Sequence, residues 1–137
     1  VVNLDAATID VTDQAAPGVS SAGNDWSAGW TAAAVTAAVR ATDGPGVRRT
    51  WFTIDGGAPL GQATFSCDPY AMAPCPADTG TATAPLSTAA LADGRHTLTL
   101  HAQDAGYNEG TASVPLLVDN SAPVVSAVPT LTWIKLM

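Results

Sequence analysis

The chain has 137 residues and a mass of 13.8 kDa, the length of one domain and enough to bury an ordinary core without a metal or several disulfides. Its formal charge is −7 with only five Lys+Arg, which excludes phosphate-neutralising nucleic-acid binding and attraction to anionic membranes. No apolar run approaches the roughly 20 residues of a membrane span, and no basic region followed by an apolar stretch forms a signal-peptide pattern.

The hydrophobic fraction is 47%, much of it alanine. Glu109 is the sole Glu and Lys135 the sole Lys, so the residues that populate helix surfaces are missing. Thr and Val are frequent, and 12 Gly and 10 Pro punctuate the chain. This composition predicts an all-β domain.

In chain order, residues 17–22 form a first short strand, and Asn24-Asp25 and Ala28-Gly29 mark loops. Residues 31–42 read as one strand with Val35, Ala37 and Val39 on a single face. Asp43-Gly44-Pro45-Gly46 is a strong turn signal. Residues 47–55 follow, with Thr50, Phe52 and Ile54 facing one way and Arg49, Trp51 and Thr53 the other. After Asp55-Gly56-Gly57 come a strand at 60–65, a loop bounded by Cys67 and Cys75, and an extended piece at 82–91. Residues 95–103 show the clearest alternation, and residues 109–118 close the domain. About seven strands are expected, the count of an immunoglobulin-like Greek-key β-sandwich.

One stretch occurs twice. Residues 13–20 read DQAAPGVS and residues 119–126 read DNSAPVVS, with five of eight positions identical at an offset of 106. Trp26 and Trp133 follow the two prolines at similar distances, and a strand-like run precedes each copy. A strand ending at Asp, followed by a proline that restricts the chain, is the pattern of a stiff junction between repeats. The expected organisation is a terminal strand of a preceding repeat at 1–13, a sandwich at 14–120, and a junction with the first strand of a following repeat at 121–137.

Three segments carry a resemblance: LADGRHTL at 91–98, AQDAG at 102–106 and VDNSAP at 118–123. With TWFTIDGG at 50–57, they resemble bacterial immunoglobulin-like repeats, over nearly all of residues 14–125. In those repeats the second segment runs into A-G-N; here Tyr107 stands between Gly106 and Asn108. The resemblance implies a building block of a large secreted or cell-surface protein, used as spacer, adhesive stalk or accessory domain of an extracellular hydrolase. It supplies no catalytic motif.

Cys67 and Cys75 have neither C-x-x-C nor zinc spacing, and a disulfide closing a small loop is expected. Such a bond belongs to an oxidising compartment, hence to a secreted protein. The stapled loop would project Asp68, Tyr70 and Met72 as a recognition tip. Trp51, opposite Phe52 and Ile54, is a candidate for stacking on a sugar if its sheet face is open. His96 and His101 fall on opposite strand faces and cannot easily share a metal. Asp43, Asp55, Asp93, Asp104 and Asp119 sit at strand ends, where Asp bonds to turn N–H groups. The alternative for such carboxylates is Ca²⁺, with Asp13 and Asp119 beside the junctions as the candidate ligands. No G-x-S-x-G, H-E-x-x-H or P-loop is present, so no enzyme is expected. A Lys–Asn crosslink of the kind found in some bacterial surface repeats would have to use Lys135. The expected partners are neighbouring repeats or other copies of the chain, joined by strand addition into a filament, with a carbohydrate or cell-surface protein as the alternative.

Overall fold

The computed structural model describes residues 12–23 and 29–126. Among them the regular structure is all strand, with no α-helix. The strands are β1 (Gly18–Ser21), β2 (Trp30–Thr31), β3 (Ala34–Thr42), β4 (Val47–Ile54), β5 (Leu60–Thr64), β6 (Ala82–Ser87), β7 (Gly94–Asp104) and β8 (Glu109–Val118). They form a three-stranded sheet, β1-β3-β6, and a five-stranded sheet, β2-β8-β7-β4-β5. All pairings are antiparallel except that of β2 with β8. Two sheets sharing one core are consistent with a β-sandwich. The larger sheet curls into a half-barrel, and β4 carries register shifts against both neighbours, the kind of irregularity that bends a strand and increases twist.

Among the described residues there are eight strands where about seven are expected, because the stretch at 31–42 is two elements. Ala33 takes φ 63°, a left-handed conformation unfavourable for a residue with a Cβ. The break lets Trp30–Thr31 pair with β8 while Ala34–Thr42 crosses to the other sheet. Three interactions hold it: Ala34 N–H donates to the Ala32 carbonyl, Thr88 N–H to the Ala33 carbonyl, and Ala33 N–H to Asn120 Oδ1. The extended piece expected at 82–91 is also shorter: β6 stops at Ser87.

The period of two places the core. Val35, Ala37 and Val39 of β3 and Ala84 and Leu86 of β6 face Phe52, Leu98, Leu100, Leu116 and Val118 of the larger sheet. Truncating Leu100, which is fully buried, to Ala would cost about 2–5 kcal/mol. A smaller cluster of Ala41, Val47 and Ala102 lies towards one end, and Val19 of β1 packs on both clusters. Alanine thus serves the interior: Ala37, Ala41 and Ala102 are fully buried.

The register defines two ends. At the proximal end, Gly18 pairs with Thr42, Val47 with Asp104 and Gln103 with Glu109. At the distal end, Ala34 pairs with Ser87 and Gly94 with Val118. The chain reaches β1 at the proximal end and leaves β8 at the distal end.

Candidate functional site

At the proximal end three carboxylates converge. Asp13 precedes β1, Asp43 opens the β3–β4 turn and Asp104 ends β7; each offers an oxygen within 4.8 Å of the others. Local bonding explains why each residue is there. Asp13 Oδ1 accepts from Ala15 N–H at 3.0 Å, and Asp43 Oδ2 accepts from Gly46 N–H at 3.1 Å. Asp104 is fully buried; its Oδ1 accepts from Asn108 N–H and its Oδ2 from Asn108 Nδ2, at 2.8 and 2.9 Å. The same Asn108 Nδ2 donates to the Asp13 carbonyl at 3.1 Å, so one amide ties the incoming chain to the β7–β8 turn.

The charge of this group is unbalanced. None of the ion pairs among the described residues involves these carboxylates. Asp13 Oδ2 is buried with no hydrogen-bond partner, a costly condition for a carboxylate oxygen. Burial, then repulsion from Asp13 and Asp104, raise the Asp43 carboxyl above its ordinary value. An all-oxygen donor set of this kind suits a hard cation such as Ca²⁺.

Asp119 lies at the other end, directly after β8. Its Oδ1 accepts from Ser121 N–H at 3.3 Å, and it takes no part in the carboxylate group. Asp13 and Asp119 are therefore not co-ligands of one ion. Asp43 and Asp104 join Asp13 instead, and only the fold could reveal this, because 30 and 91 residues separate them from it. The expected turn role of the strand-end aspartates holds as well. Asp55 Oδ1 accepts from Thr97 N–H and Asp93 Oδ1 from Asn120 N–H, at 2.8 and 2.6 Å.

The distal end is held by Asn120. Its Nδ2 donates to the Thr88 and Leu91 carbonyls at 2.8 and 3.0 Å, and its Oδ1 accepts from Ala33 N–H at 3.1 Å. Nearby, His96 Nδ1 meets Asp55 Oδ2 at 2.6 Å. This contact lowers the Asp55 carboxyl and raises His96. His101, on the opposite strand face, bonds Glu109 at 2.8 Å and Thr53 at 3.0 Å.

Trp51 does not present an open face. It is 7% exposed, His101 stacks on it at 4.9 Å, and the Arg49 guanidinium lies 4.7 Å from its centroid. The cross-strand pairing of Trp51 with His101 brings two flat side chains together on the outer face of the sheet and closes it. Among the other tryptophans, Trp30 is 63% exposed, while Trp26 and Trp133 fall outside the described residues, as does Lys135. Cys67 and Cys75 are bonded. The loop they close leaves Tyr70 and Met72 fully in solvent, and beside it Arg48, Phe65, Pro74 and Tyr107 line an open cleft of about 430 Å³. Arg48 caps the Tyr107 ring at 4.2 Å.

No family model, curated protein or solved structure matches the chain.

Proposed function

We propose that the chain is a non-enzymatic structural module, an immunoglobulin-like unit of an extracellular bacterial protein that stacks head to tail with further units as a spacer or stalk. One observation carries this reading: the two D-x-x-A-P segments lie at opposite ends of the fold. Asp13 enters at the proximal end and Asp119 leaves the distal end immediately after Val118. A following unit that begins at Asp119 therefore has no linker, and Asn120 still belongs to the first unit's hydrogen-bond network. Strand order supports the immunoglobulin-like reading, with β1-β3-β6 facing β2-β8-β7-β4-β5 and a short parallel strand beside the last one. The Cys67–Cys75 bond supports an oxidising, extracellular setting, and no helix of the described residues is long and apolar enough to cross a membrane.

A two-unit chain that keeps Asn120 at the junction tests it: residues 1–120 joined directly to residues 15–137, measured by small-angle X-ray scattering. A rigid rod about twice as long as one unit is expected. A flexible pair with a broad distribution of lengths would overturn the reading.

A second reading rests on two observations, the orphaned Asp13 Oδ2 and the convergence of one oxygen each from Asp13, Asp43 and Asp104: the proximal end binds Ca²⁺. Calcium that binds only the folded chain must raise the thermal midpoint. Millimolar Ca²⁺ should raise it over an EDTA sample, and Asp104→Asn should abolish the rise. An unchanged midpoint, or a rise that survives the substitution, removes the site.

A further inference from the structure

We infer that the β1 site is an acceptor for residues 119–126 of a second copy of this chain, so that the outgoing segment of one molecule can take the place of β1 in another. The inference rests on the module reading above and names the module's partner.

The first support is how identity and burial coincide. Across residues 13–20, positions 13, 17 and 19 are buried or half-buried and the rest are exposed. The second copy keeps the residue at all three: Asp119, Pro123 and Val125. The three positions that differ, Gln14/Asn120, Ala15/Ser121 and Gly18/Val124, are all exposed in the first copy. Every side chain that the β1 site receives is thus supplied again by the outgoing segment.

The site itself is shaped to this sequence. Pro17 is buried against Gly110, where any Cβ would run into the Pro17 carbonyl. Val19 sits over both core clusters and opposite Ala41. In the outgoing segment the matching groups are left in solvent: Pro123 is exposed and Val125 is 78% exposed.

A molecule cannot satisfy its own segment. Eight residues of β8 separate Gly110 from Val118, a distance of about 27 Å. Five residues from Val118 to Pro123 span at most about 18 Å. Pro123 therefore cannot reach the Pro17 position of its own fold, and the occupant must come from a second copy.

The exchange also has a direction. Gly18 weakens β1, because glycine in a strand loses more entropy and packs nothing. Val124 would replace it with a strong strand former. A Cβ at this position lies 3.3 Å from Thr42 Oγ1, on an exposed side chain that can yield. Against this stands the tether of the resident strand, equivalent to an effective concentration in the millimolar range. Exchange should therefore grow with protein concentration and produce open head-to-tail chains, because the donor and acceptor surfaces are different.

The test is light scattering after size exclusion, on the full chain incubated at concentrations up to about a millimolar. Masses above one chain are expected at the top of the range. Val125→Asp should leave only single chains, and it cannot harm the fold of the monomer because Val125 is exposed there. Gly18→Val, which improves the resident strand, should lower the multimer fraction. A chain carrying Thr42→Cys and Val124→Cys should form disulfide-linked multimers, since Gly18 pairs with Thr42. A single-chain mass at every concentration, or multimers that Val125→Asp does not reduce, would overturn the inference. The module reading would stand or fall separately on the covalent two-unit chain, whose junction needs no exchange.

Discussion

The two ends of this sandwich solve the same problem with different chemistry. At each, a chain segment bearing the D-x-x-A-P motif has to be fixed against the turns between strands, and at each an asparagine amide does so. Asn108 ties the Asp13 carbonyl to the β7–β8 turn, and Asn120 ties its own segment to the turns at Ala33, Thr88 and Leu91. The distal end is electrically settled, for Asp55 is matched by His96 and Asp93 by the Asn120 N–H. The proximal end gathers three carboxylates with no ion-pair partner among the described residues and leaves one buried carboxylate oxygen orphaned. Paired charge is what a purely structural end needs, and the distal end has it although Thr88 Oγ1 there is buried with no hydrogen-bond partner. Surplus negative charge on a buried group is what a ligand-dependent end would carry.

Backbone geometry gives the largest contrast. Gly46 at the proximal turn has φ +103°, and a Cβ there would collide with the backbone of Cys75, inside the disulfide loop. Gly94 at the distal end has φ +136° but open space around it. Gly46→Ala should cost about 3 kcal/mol or more, as strain and collision combine. Gly94→Ala should cost about 1–2 kcal/mol from strain alone. Urea midpoints of the two variants measure the difference, and equal shifts would show that the Cys67–Cys75 loop yields easily.

The asparagines come next. Asn120→Ala removes three hydrogen bonds of its side chain, worth about 2–3 kcal/mol together. Asn108→Ala removes two, one of them to the buried Asp104 carboxylate, for about 2 kcal/mol or more. The distinction sharpens in calcium. An ion at the proximal end would neutralise the carboxylate that Asn108 leaves behind, so Ca²⁺ should recover part of the Asn108→Ala loss and none of the Asn120→Ala loss. Equal recovery in both would erase the contrast between the ends.

Much of the fold was legible in local chemistry. The alternation from Arg95 to Gln103 and the closing strand Glu109–Val118 follow from the period of two and the turn residues around them, and the structure reproduces both. The split at Ala32–Ala33 was not legible. Three consecutive alanines carry no turn signal, and the left-handed Ala33 is imposed by partners 55 and 87 residues away, Thr88 and Asn120. The carboxylate group was half legible. The repeated motif singled out Asp13, while Asp43 and Asp104 looked like ordinary turn residues, and they are turn residues as well. Trp51 shows the reverse case. Its strand face was correct, but its exposure depended on the cross-strand His101, which no local pattern reveals.

The smallest expected effects have opposite signs at the two ends. Burial and then the charges of Asp13 and Asp104 raise the Asp43 carboxyl above 3.8. Its charged form is therefore penalised on folding, and the penalty is complete at neutral pH. It is relieved as pH falls through the raised value. At the distal end the hydrogen bond from His96 holds Asp55 below 3.8 and raises His96 above 6.5. The Asp55 contribution is present above 3.8 and lost as pH falls through its lowered value. The His96 contribution is present below 6.5 and fades as pH rises through its raised value. Both distal contributions are therefore complete only between about pH 4 and 6.5. Thermal midpoints in EDTA separate the ends. Asp43→Asn should raise the midpoint at pH 7, with the gain vanishing below about pH 4. His96→Gln should lower it at pH 5 to 6 and matter progressively less towards pH 8. If the two variants shifted the midpoint in the same direction over the whole range, the proximal carboxylates would be as well compensated as the distal pair, and the case for a cation between Asp13, Asp43 and Asp104 would lose its electrostatic basis.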